Sequence, residues 1–261
     1  MPILPDQRQA AILERLLRDG RVLAADLAAE FDTSEDTIRR DLRDLAAAGQ
    51  CRRVYGGALP VPPAAGPLSR RDGIAPDAKR ALARAAAALV GPGQTILIDS
   101  GSTNTRIAEA LPVDTALTVV TNAPAVAQAL AGRPRCCVVV LGGRVHPTIG
   151  GAFGPRALRD LAEVRADIAF VGACGLAAGA GLTAFDPEEA EFKRRIVACS
   201  ARSATAVTSD KLGTAAPFAA APLAALHDVI VQHDASEAAL AGLAHPGLRL
   251  HRAAAPDGSR R

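Results

Sequence analysis

Thr33-Ser34-Glu35-Asp36-Thr37-Ile38-Arg39-Arg40-Asp41-Leu42-Arg43-Asp44-Leu45 reads as a capped helix whose two faces carry different chemistry. Ser34 or Thr33 can accept a backbone N–H at the helix start, and Glu35 and Asp36 fall in the first turn, where the helix dipole favours negative charge. Ile38, Leu42 and Leu45 recur at helical spacing as one buried stripe, while Thr37, Arg39, Arg40 and Arg43 lie off it. One face packs, and the other is free to meet an anion.

The segment before it, Arg21 to Phe31, has its own apolar spacing in Leu23, Leu27, Ala28 and Phe31, and Asp32-Thr33-Ser34 is short enough for a tight turn. Two such helices make a helix-turn-helix, whose second helix enters the DNA major groove with its N-terminal residues near base edges. A first helix over residues 6–19, with Ile12, Leu13, Leu16 and Leu17, leans on the pair. After Gly49 the run Cys51-Arg52-Arg53-Val54-Tyr55-Gly56-Gly57 alternates and ends in a glycine pair, as a small β-wing does, which sets Arg52 and Arg53 for phosphate or minor-groove contacts.

Bulk charge says little about a partner: the net charge is +3, and residues 1–60 hold nine Arg against ten Asp plus Glu. Placement says more. Between Thr37 and Arg53 there are five Arg and two Asp, so positive charge gathers on the second helix and the wing. Taken alone, such a cluster is usually a solvated helix face. The 261 residues, 49% hydrophobic with a mean hydropathy of +0.15, suffice for two cored domains. No apolar run is long enough for a membrane span, and Met1-Pro2-Ile3-Leu4-Pro5-Asp6 lacks the charged and apolar regions of a leader, so a soluble cytoplasmic protein is expected. Cys51, Cys136, Cys137, Cys174 and Cys199 show no C-x-x-C spacing; small buried residues with free thiols are expected, with no metal and no cofactor.

Residues 59–76 carry Pro60, Pro62, Pro63, Gly66, Pro67 and Pro76 without apolar periodicity and read as a linker. From Asp77 onward helices near 77–90, 103–111, 123–131, 155–162, 187–201 and 236–243 alternate with strands near 95–99, 117–121, 136–141, 167–171, 204–208 and 229–232. Strands such as Val138-Val139-Val140-Leu141, apolar on consecutive positions, suit a parallel sheet covered on both faces, with a ligand crevice at the carboxyl ends of its strands. The tail from Arg252 to Arg261 reads as disordered.

The strand ends are polar. Ile96-Leu97-Ile98-Asp99 runs into Ser100-Gly101-Ser102-Thr103-Asn104, a glycine turn opening a helix, which exposes amides and hydroxyls to an anion. A lone turn of this kind is more often an ordinary cap, but Thr121-Asn122, Gly142-Gly143 and Gly172-Ala173-Cys174-Gly175 end the next three strands, and four such ends would ring one crevice. Lysine is scarce: Lys79, Lys193 and Lys211 are the only three among thirty basic residues, which marks positions where a compact ammonium is wanted. Lys193 lies one helical turn after Glu189, and Lys211 follows the strand ending Val207-Thr208-Ser209-Asp210. An i,i+4 surface pair is the plainer account of Glu189 and Lys193.

The run from Ala25 to Ala58, with Ser34-x-x-Thr37-Ile38-Arg39-Arg40-Asp41-Leu42 followed by Arg53-x-Tyr55-Gly56-Gly57-Ala58, resembles the DeoR family of bacterial transcriptional regulators, with Tyr55 where the family often has His. Gly101-Ser102-Thr103, Thr121-Asn122, Leu141-Gly142-Gly143, Ala166-Asp167-x-Ala169-Phe170-x-Gly172, Gly181-Leu182-Thr183 and Glu189-Ala190-x-x-Lys193-Arg194 resemble its sensor domain, with Thr208 where the family usually has Asp. The resemblance implies a winged helix-turn-helix over residues 1–58, the Pro-rich linker over 59–76, and over 77–250 an α/β sensor with a mostly parallel sheet, similar in fold to ribose-5-phosphate isomerase. It implies a DNA-binding repressor of a sugar or polyol operon, partnered by double-stranded operator DNA and by a phosphorylated sugar or polyol effector, homo-oligomeric and with no membrane partner.

By the same resemblance Ser34, Thr37, Arg39, Arg40, Arg43, Arg52, Arg53 and Tyr55 would meet DNA. Gly101, Ser102 and Thr103 would hold phosphate, Thr121, Asn122, Gly142 and Gly143 would complete the crevice, and Asp167, Glu189, Lys193 and Lys211 would face the sugar. A second reading makes the protein an enzyme, a sugar-phosphate isomerase with a DNA-binding appendage, because carboxylates and lysines beside a phosphate loop can move protons. A fold does not imply its best-known reaction, and a regulator without catalysis is the preferred expectation.

Overall fold

The helix read from residues 33–45 starts where its cap puts it. In the computed structural model, which describes residues 4–60 and 67–255, the Ser34 side chain accepts from the Thr37 amide at 3.1 Å. The head comprises α1 (Pro5–Asp19), β1 (Val22–Leu23), α2 (Ala24–Glu30), α3 (Glu35–Ala47), β2 (Cys51–Val54) and β3 (Gly57–Pro60). Ile38, Leu42 and Leu45 of α3 close one core with Ile12, Leu16, Leu27, Cys51 and Ala58. Asp41 is the polar member of that buried face, held by Arg8 of α1 through Nε at 2.6 Å and Nη2 at 3.2 Å. The three strands pair antiparallel in the order β1-β3-β2, with Tyr55 and Gly56 at the tip of the wing.

Beyond the head the chain forms α4 (Leu68–Asp72), α5 (Pro76–Ala87), β4 (Thr95–Ile98), α6 (Ser102–Ala110), β5 (Leu117–Thr121), α7 (Pro124–Leu130), β6 (Cys136–Val140), β7 (Arg144–Val145), β8 (Ala152–Phe153) and α8 (Pro155–Ala162). It continues through β9 (Ile168–Phe170), β10 (Gly175–Ala177), β11 (Gly181–Ala184), α9 (Pro187–Ala198), β12 (Ser203–Val207), β13 (Phe218–Ala221), β14 (Asp228–Val231), α10 (Glu237–Ala241) and β15 (Arg249–Arg252). Seven strands form one parallel sheet in the order β15-β14-β12-β9-β4-β5-β6. Ile96, Ile98, Val119 and Phe170 pack with Leu82 of α5 and Ile107 of α6 on one face, while Leu97, Val120 and Val229 pack with Leu161 of α8 and Phe192 and Ile196 of α9 on the other. From β4 the chain moves outward through β5 to β6, then returns to lay β9 on the other side of β4. Connections therefore diverge above β4 and β9, and the crevice of such a sheet opens there.

Several expectations are corrected. The linker is narrower than residues 59–76: Leu59 and Pro60 belong to β3, and α4 occupies Leu68–Asp72, docked by the Leu68 amide on the Thr148 carbonyl at 3.0 Å. Residues 61–66 lie outside the described residues, as do 256–261 of the tail, while Arg252 itself ends a strand. The apolar run of β6, read as covered on both faces, is an edge strand with Val139 and Val140 exposed. Cys137 on that strand is exposed as well, so not every thiol is buried. Among the described residues no helix is long and apolar enough to cross a membrane, and no cluster of His, Cys, Asp or Glu could hold a metal.

A small antiparallel sheet, β10-β11-β13, flanks the main one and carries the wing. Leu59 packs with Ala177 and Ala215, the Ala215 amide meets the Pro60 carbonyl at 3.4 Å, and Arg52 Nη2 donates to the Pro217 carbonyl at 2.6 Å.

At the amino end of β14 the fully buried Asp228 accepts from Arg202 (2.5 and 2.7 Å), Arg249 (3.1 and 3.2 Å) and His251 (2.6 Å), tying β12, β14 and β15 together. Burial alone would raise this carboxyl, but the donors from Arg202, His251 and Arg249 outweigh it and hold it at about 2. Its stabilising contribution is complete above the unfolded carboxyl value near about 4 and is lost as pH falls through about 2. Asp228→Asn is expected to remove about 2 kcal/mol at pH 7 and to flatten the decline of stability between about pH 4 and 2, read by urea melts at each pH.

Candidate functional site

Two regions gather the expected residues, one on the head and one at the switch point of the parallel sheet. On the head, Ser34 and Thr37 meet each other at 2.9 Å and fix the start of α3. Arg40 and Arg43 are exposed and pair with no carboxylate among the described residues. Arg39 differs, since its guanidinium reaches Glu35 at 2.5 Å and Asp36 at 3.6 Å on its own helix. Arg53 and Tyr55 are exposed on the wing, whereas Arg52 is turned toward Pro217.

At the switch point Asp99, directly after β4, is the organising acid, and the sequence reading passed over it. Its Oδ1 accepts from the Ser100 amide at 2.7 Å, and its Oδ2 accepts from the Gly172 amide at 3.0 Å and from Lys193 Nζ. Lys193 also pairs with Glu189 Oε1 at 3.1 Å, so the supposed surface pair is a buried triad of one ammonium and two carboxylates. Burial alone would lower the Lys193 ammonium, but Asp99 and Glu189 override it and hold it above the ordinary lysine range. Asp186 positions Glu189 by capping α9, accepting from the Glu188 and Glu189 amides at 2.9 and 3.0 Å. Glycine at 172 is required by close approach: a Cβ there would stand 2.8 Å from the Ser100 carbonyl and 3.2 Å from Lys193 Nζ.

Above this triad, Gly101 (φ 143°) turns the chain into α6 and no side chain caps the helix, so its first-turn amides have no intrahelical acceptor. Ser102, Thr103, Gly172 to Cys174, Glu189, Lys193 and Lys211 line a small recess at this turn. The recess adjoins a cavity of about 350 Å³ bounded by Arg71, Lys79, Ser102, Cys174, Phe185, Thr208, Lys211 and Gln232. Lys211 reaches the Ala173 carbonyl at 2.9 Å, and burial pushes its ammonium down. The Cys174 thiol lies 3.8 Å from both Glu189 oxygens and is pushed up, first by burial and then by that carboxylate.

Five expected residues stand apart from these two spaces. Asp167 is exposed at the amino end of β9, where its Oδ2 accepts from the Thr95 amide at 2.8 Å and closes the start of β4; it is at the wrong end of the strands to face a crevice ligand. Thr121 spends its hydroxyl on the Ile98 carbonyl at 2.6 Å and the Ala123 amide at 3.0 Å. Gly142 and Gly143 follow the edge strand β6 and line neither space. Asn122 is buried beside Ser100 and Gly151, donating to the Ala152 carbonyl at 3.2 Å, with its Oδ1 unpartnered. The crevice is instead completed from the other side by β12 and β14, and by Arg71 and Lys79 of α4 and α5. Lysine scarcity was the signal for Lys79; nothing in the sequence singled out Arg71 or Gln232.

Residues 8–61 match a family model described as a DeoR-like helix-turn-helix domain, and residues 74–233 one described as the DeoR C terminal sensor domain. The glycerol-3-phosphate regulon repressor of Escherichia coli K12 is 32% identical over 208 residues, covering 79% of this chain and 82% of its own. The HTH-type transcriptional regulator GolR of Listeria innocua is 30% identical over 216 residues, covering 81% and 84%. Among solved structures, ribose 5-phosphate isomerase A from Methanocaldococcus jannaschii aligns with 52% of this chain and 54% of its own at 18% identity and a TM-score of 0.39, a likeness that carries no argument about activity.

Proposed function

This chain belongs to the DeoR family of transcriptional regulators, and we propose that it represses a sugar or polyol catabolic operon, with its hold on the operator set by a phosphorylated sugar or polyol in the crevice above β4, β9 and β12. The observation that carries this reading is the division of charge: unpaired arginines on the outer face of α3, and a cation-lined cavity of ligand size in the body. Ser34, Thr37, Arg39, Arg40 and Arg43 meet the major groove and its phosphates, and Arg52, Arg53 and Tyr55 the backbone or minor groove. The amides and hydroxyls of Gly101 to Thr103 hold phosphate, while Glu189, Lys193 and Lys211 face the sugar. Two heads read two half-sites, so the working form is a homo-oligomer.

Communication between the halves is supported by one strip of chain. Lys211 lines the cavity, and four residues later Ala215 touches β3 of the wing. A ligand that draws on Lys211 pulls on the seat of the wing.

The test is recovery of bound fragments from sheared host DNA, followed by challenge with phosphorylated sugars and polyols and their unphosphorylated parents. Release by one phosphate and not by its parent is expected; DNA retained through the whole panel would end the effector half of the reading. Arg40→Ala is expected to weaken operator binding about 10- to 100-fold and leave effector affinity unchanged. Thr103→Val does the converse, losing about tenfold in effector affinity as a phosphate oxygen loses a donor, with effector-free operator binding intact. A change in effector affinity from Arg40→Ala would contradict the division of labour.

Catalysis is not favoured, because the relatives that this chain covers over most of their length are transcriptional regulators. Turnover of aldose phosphates that Lys193→Ala abolished would reverse this conclusion.

A further inference from the structure

The cavity in the body has a buried floor and a side that faces solvent. Ser102 and Thr208 line it at 5% exposure each, whereas Ile74 lines it at 53%. Ile74 and the exposed Ala75 follow α4, and Arg71 of α4 lines the same space. The solvent side of the cavity is therefore made in part by α4 and the turn behind it.

This helix is held differently from the one it runs into. In α5, Lys79, Ala81, Leu82, Ala83 and Ala86 are buried, and the helix packs into the core on one face of the parallel sheet. In α4 no residue is buried. Hydrogen bonds dock it instead: the Leu68 amide on the Thr148 carbonyl at 3.0 Å, Arg71 Nη2 on the Thr148 and Ile149 carbonyls at 3.3 and 3.1 Å, Asp72 on Arg106 Nη2 of α6 at 2.8 Å, and Lys79 Nζ on the Arg71 carbonyl. The contact with Arg106 is imperfect, since its buried Nε finds no acceptor among the described residues. An element with few buried apolar contacts, fastened by hydrogen bonds at the surface, opens at low free-energy cost.

Between the two helices the backbone is strained. Ala75 has φ 47° and ψ 53°, and among the described residues only it and Asp32 are non-glycine residues at positive φ. A Cβ is crowded in that region, alanine has no polar side chain to offset the cost, and Pro76 favours extended backbone at the residue before it. Docking of α4 holds Ala75 in this conformation, and release lets it relax.

We propose that residues 68–75 are a lid on the effector cavity, hinged at Ala75 and latched by Asp72 on Arg106. This rests on the effector reading above and adds how the ligand enters and what closes over it. Undocked, the lid admits the ligand from solvent. Docked, it brings Arg71, Ile74 and Ala75 against the ligand, contacts that exist in only one of the two states and so shift the balance toward that state. The strain at Ala75 keeps the docked state shallow enough to open when the cavity is empty.

The test is hydrogen exchange of the full chain, read by mass spectrometry. Without ligand, the amides of residues 68–74 are expected to exchange about tenfold or more faster than those of residues 80–87. Ala75→Gly relieves the docked state and slows exchange at 68–74 about three- to tenfold with α5 unchanged. Asp72→Asn weakens the latch and speeds it by a similar factor. A residue that merely starts α5 would not move exchange in α4. The phosphorylated sugars and polyols are then added one at a time, and the member that protects residues 101–105 is expected to protect 68–74 as well. Exchange at 68–74 as slow as in α5, or unmoved by both variants, overturns the lid. Protection of 101–105 without 68–74 overturns closure over the effector and leaves the effector reading standing. Protection of neither segment by any member of the panel overturns the effector reading itself, and this proposal with it.

Discussion

Lys193→Met is expected to cost about 3–5 kcal/mol of unfolding free energy, a large share of the stability of an ordinary domain. The substitution keeps length and packing but strands Asp99 and Glu189, both almost wholly buried, without a counter-charge. The cost is that of a buried carboxylate pair left uncompensated rather than the net worth of the ion pair. Adding Asp99→Asn and Glu189→Gln to Lys193→Met should therefore recover more than half of the loss. The sign with pH follows from the raised Lys193 ammonium: its contribution is complete below the unfolded lysine value near about 10.4 and is lost only as pH rises beyond it. Denaturant melts at pH 7 decide the matter; a loss under about 1 kcal/mol would mean that the triad is hydrated and its carboxylates do not depend on the lysine.

Asp41→Ala is expected to abolish operator binding by loosening the head, with a cost of about 3 kcal/mol or more. Asp41 is the acid inside the Arg39-Arg40-Asp41-Leu42 run, and it points inward to a two-pronged contact with Arg8, fixing the angle of α3 against α1. A three-helix head with a small wing has a small core, so it cannot absorb the loss. The body shares none of these contacts. Effector titration should therefore be unchanged while proteolysis within residues 4–60 accelerates. Operator affinity within twofold of the parent would refute the role given to Asp41, whereas Asp41→Asn, which can still accept from Arg8, should fall between the two.

The head was legible because its cap, stripe and wing are local: Ser34, the Ile38-Leu42-Leu45 spacing and the glycine pair each act over a few residues. The parallel strands were legible for the same reason, as short apolar runs between helical periods. What escaped was long-range. Asp99 looked like the last residue of a strand, and its importance depends on α9 arriving 94 residues later with Lys193. Asp167 looked like a crevice acid because it borders a strand, but it borders the amino end. The pairing order, not the local pattern, decides which strand ends adjoin: β5 and β6 lie to one side of β4, and β12 and β14 to the other. Edge position is equally invisible locally, so the valines of β6 read as core. The side sheet β10-β11-β13 was missed because, apart from Thr183 and Phe218, its strands are built from Gly, Ala and Leu, with little of the β-branched enrichment that marks a strand.

The seat of the wing is made of small things: Leu59 against two alanines, a long amide contact, and one arginine on a carbonyl. Such a patch is worth on the order of 2–3 kcal/mol, less than the roughly 8 kcal/mol released when a small molecule binds with micromolar affinity. The attitude of the head is therefore a Boltzmann quantity. At that balance roughly 1–3% of molecules would have the wing lifted at any instant, leaving Arg52 without its Pro217 carbonyl and open to a phosphate. Regulation in such a molecule needs no large rearrangement, only a change in the fraction of time that one guanidinium is spoken for.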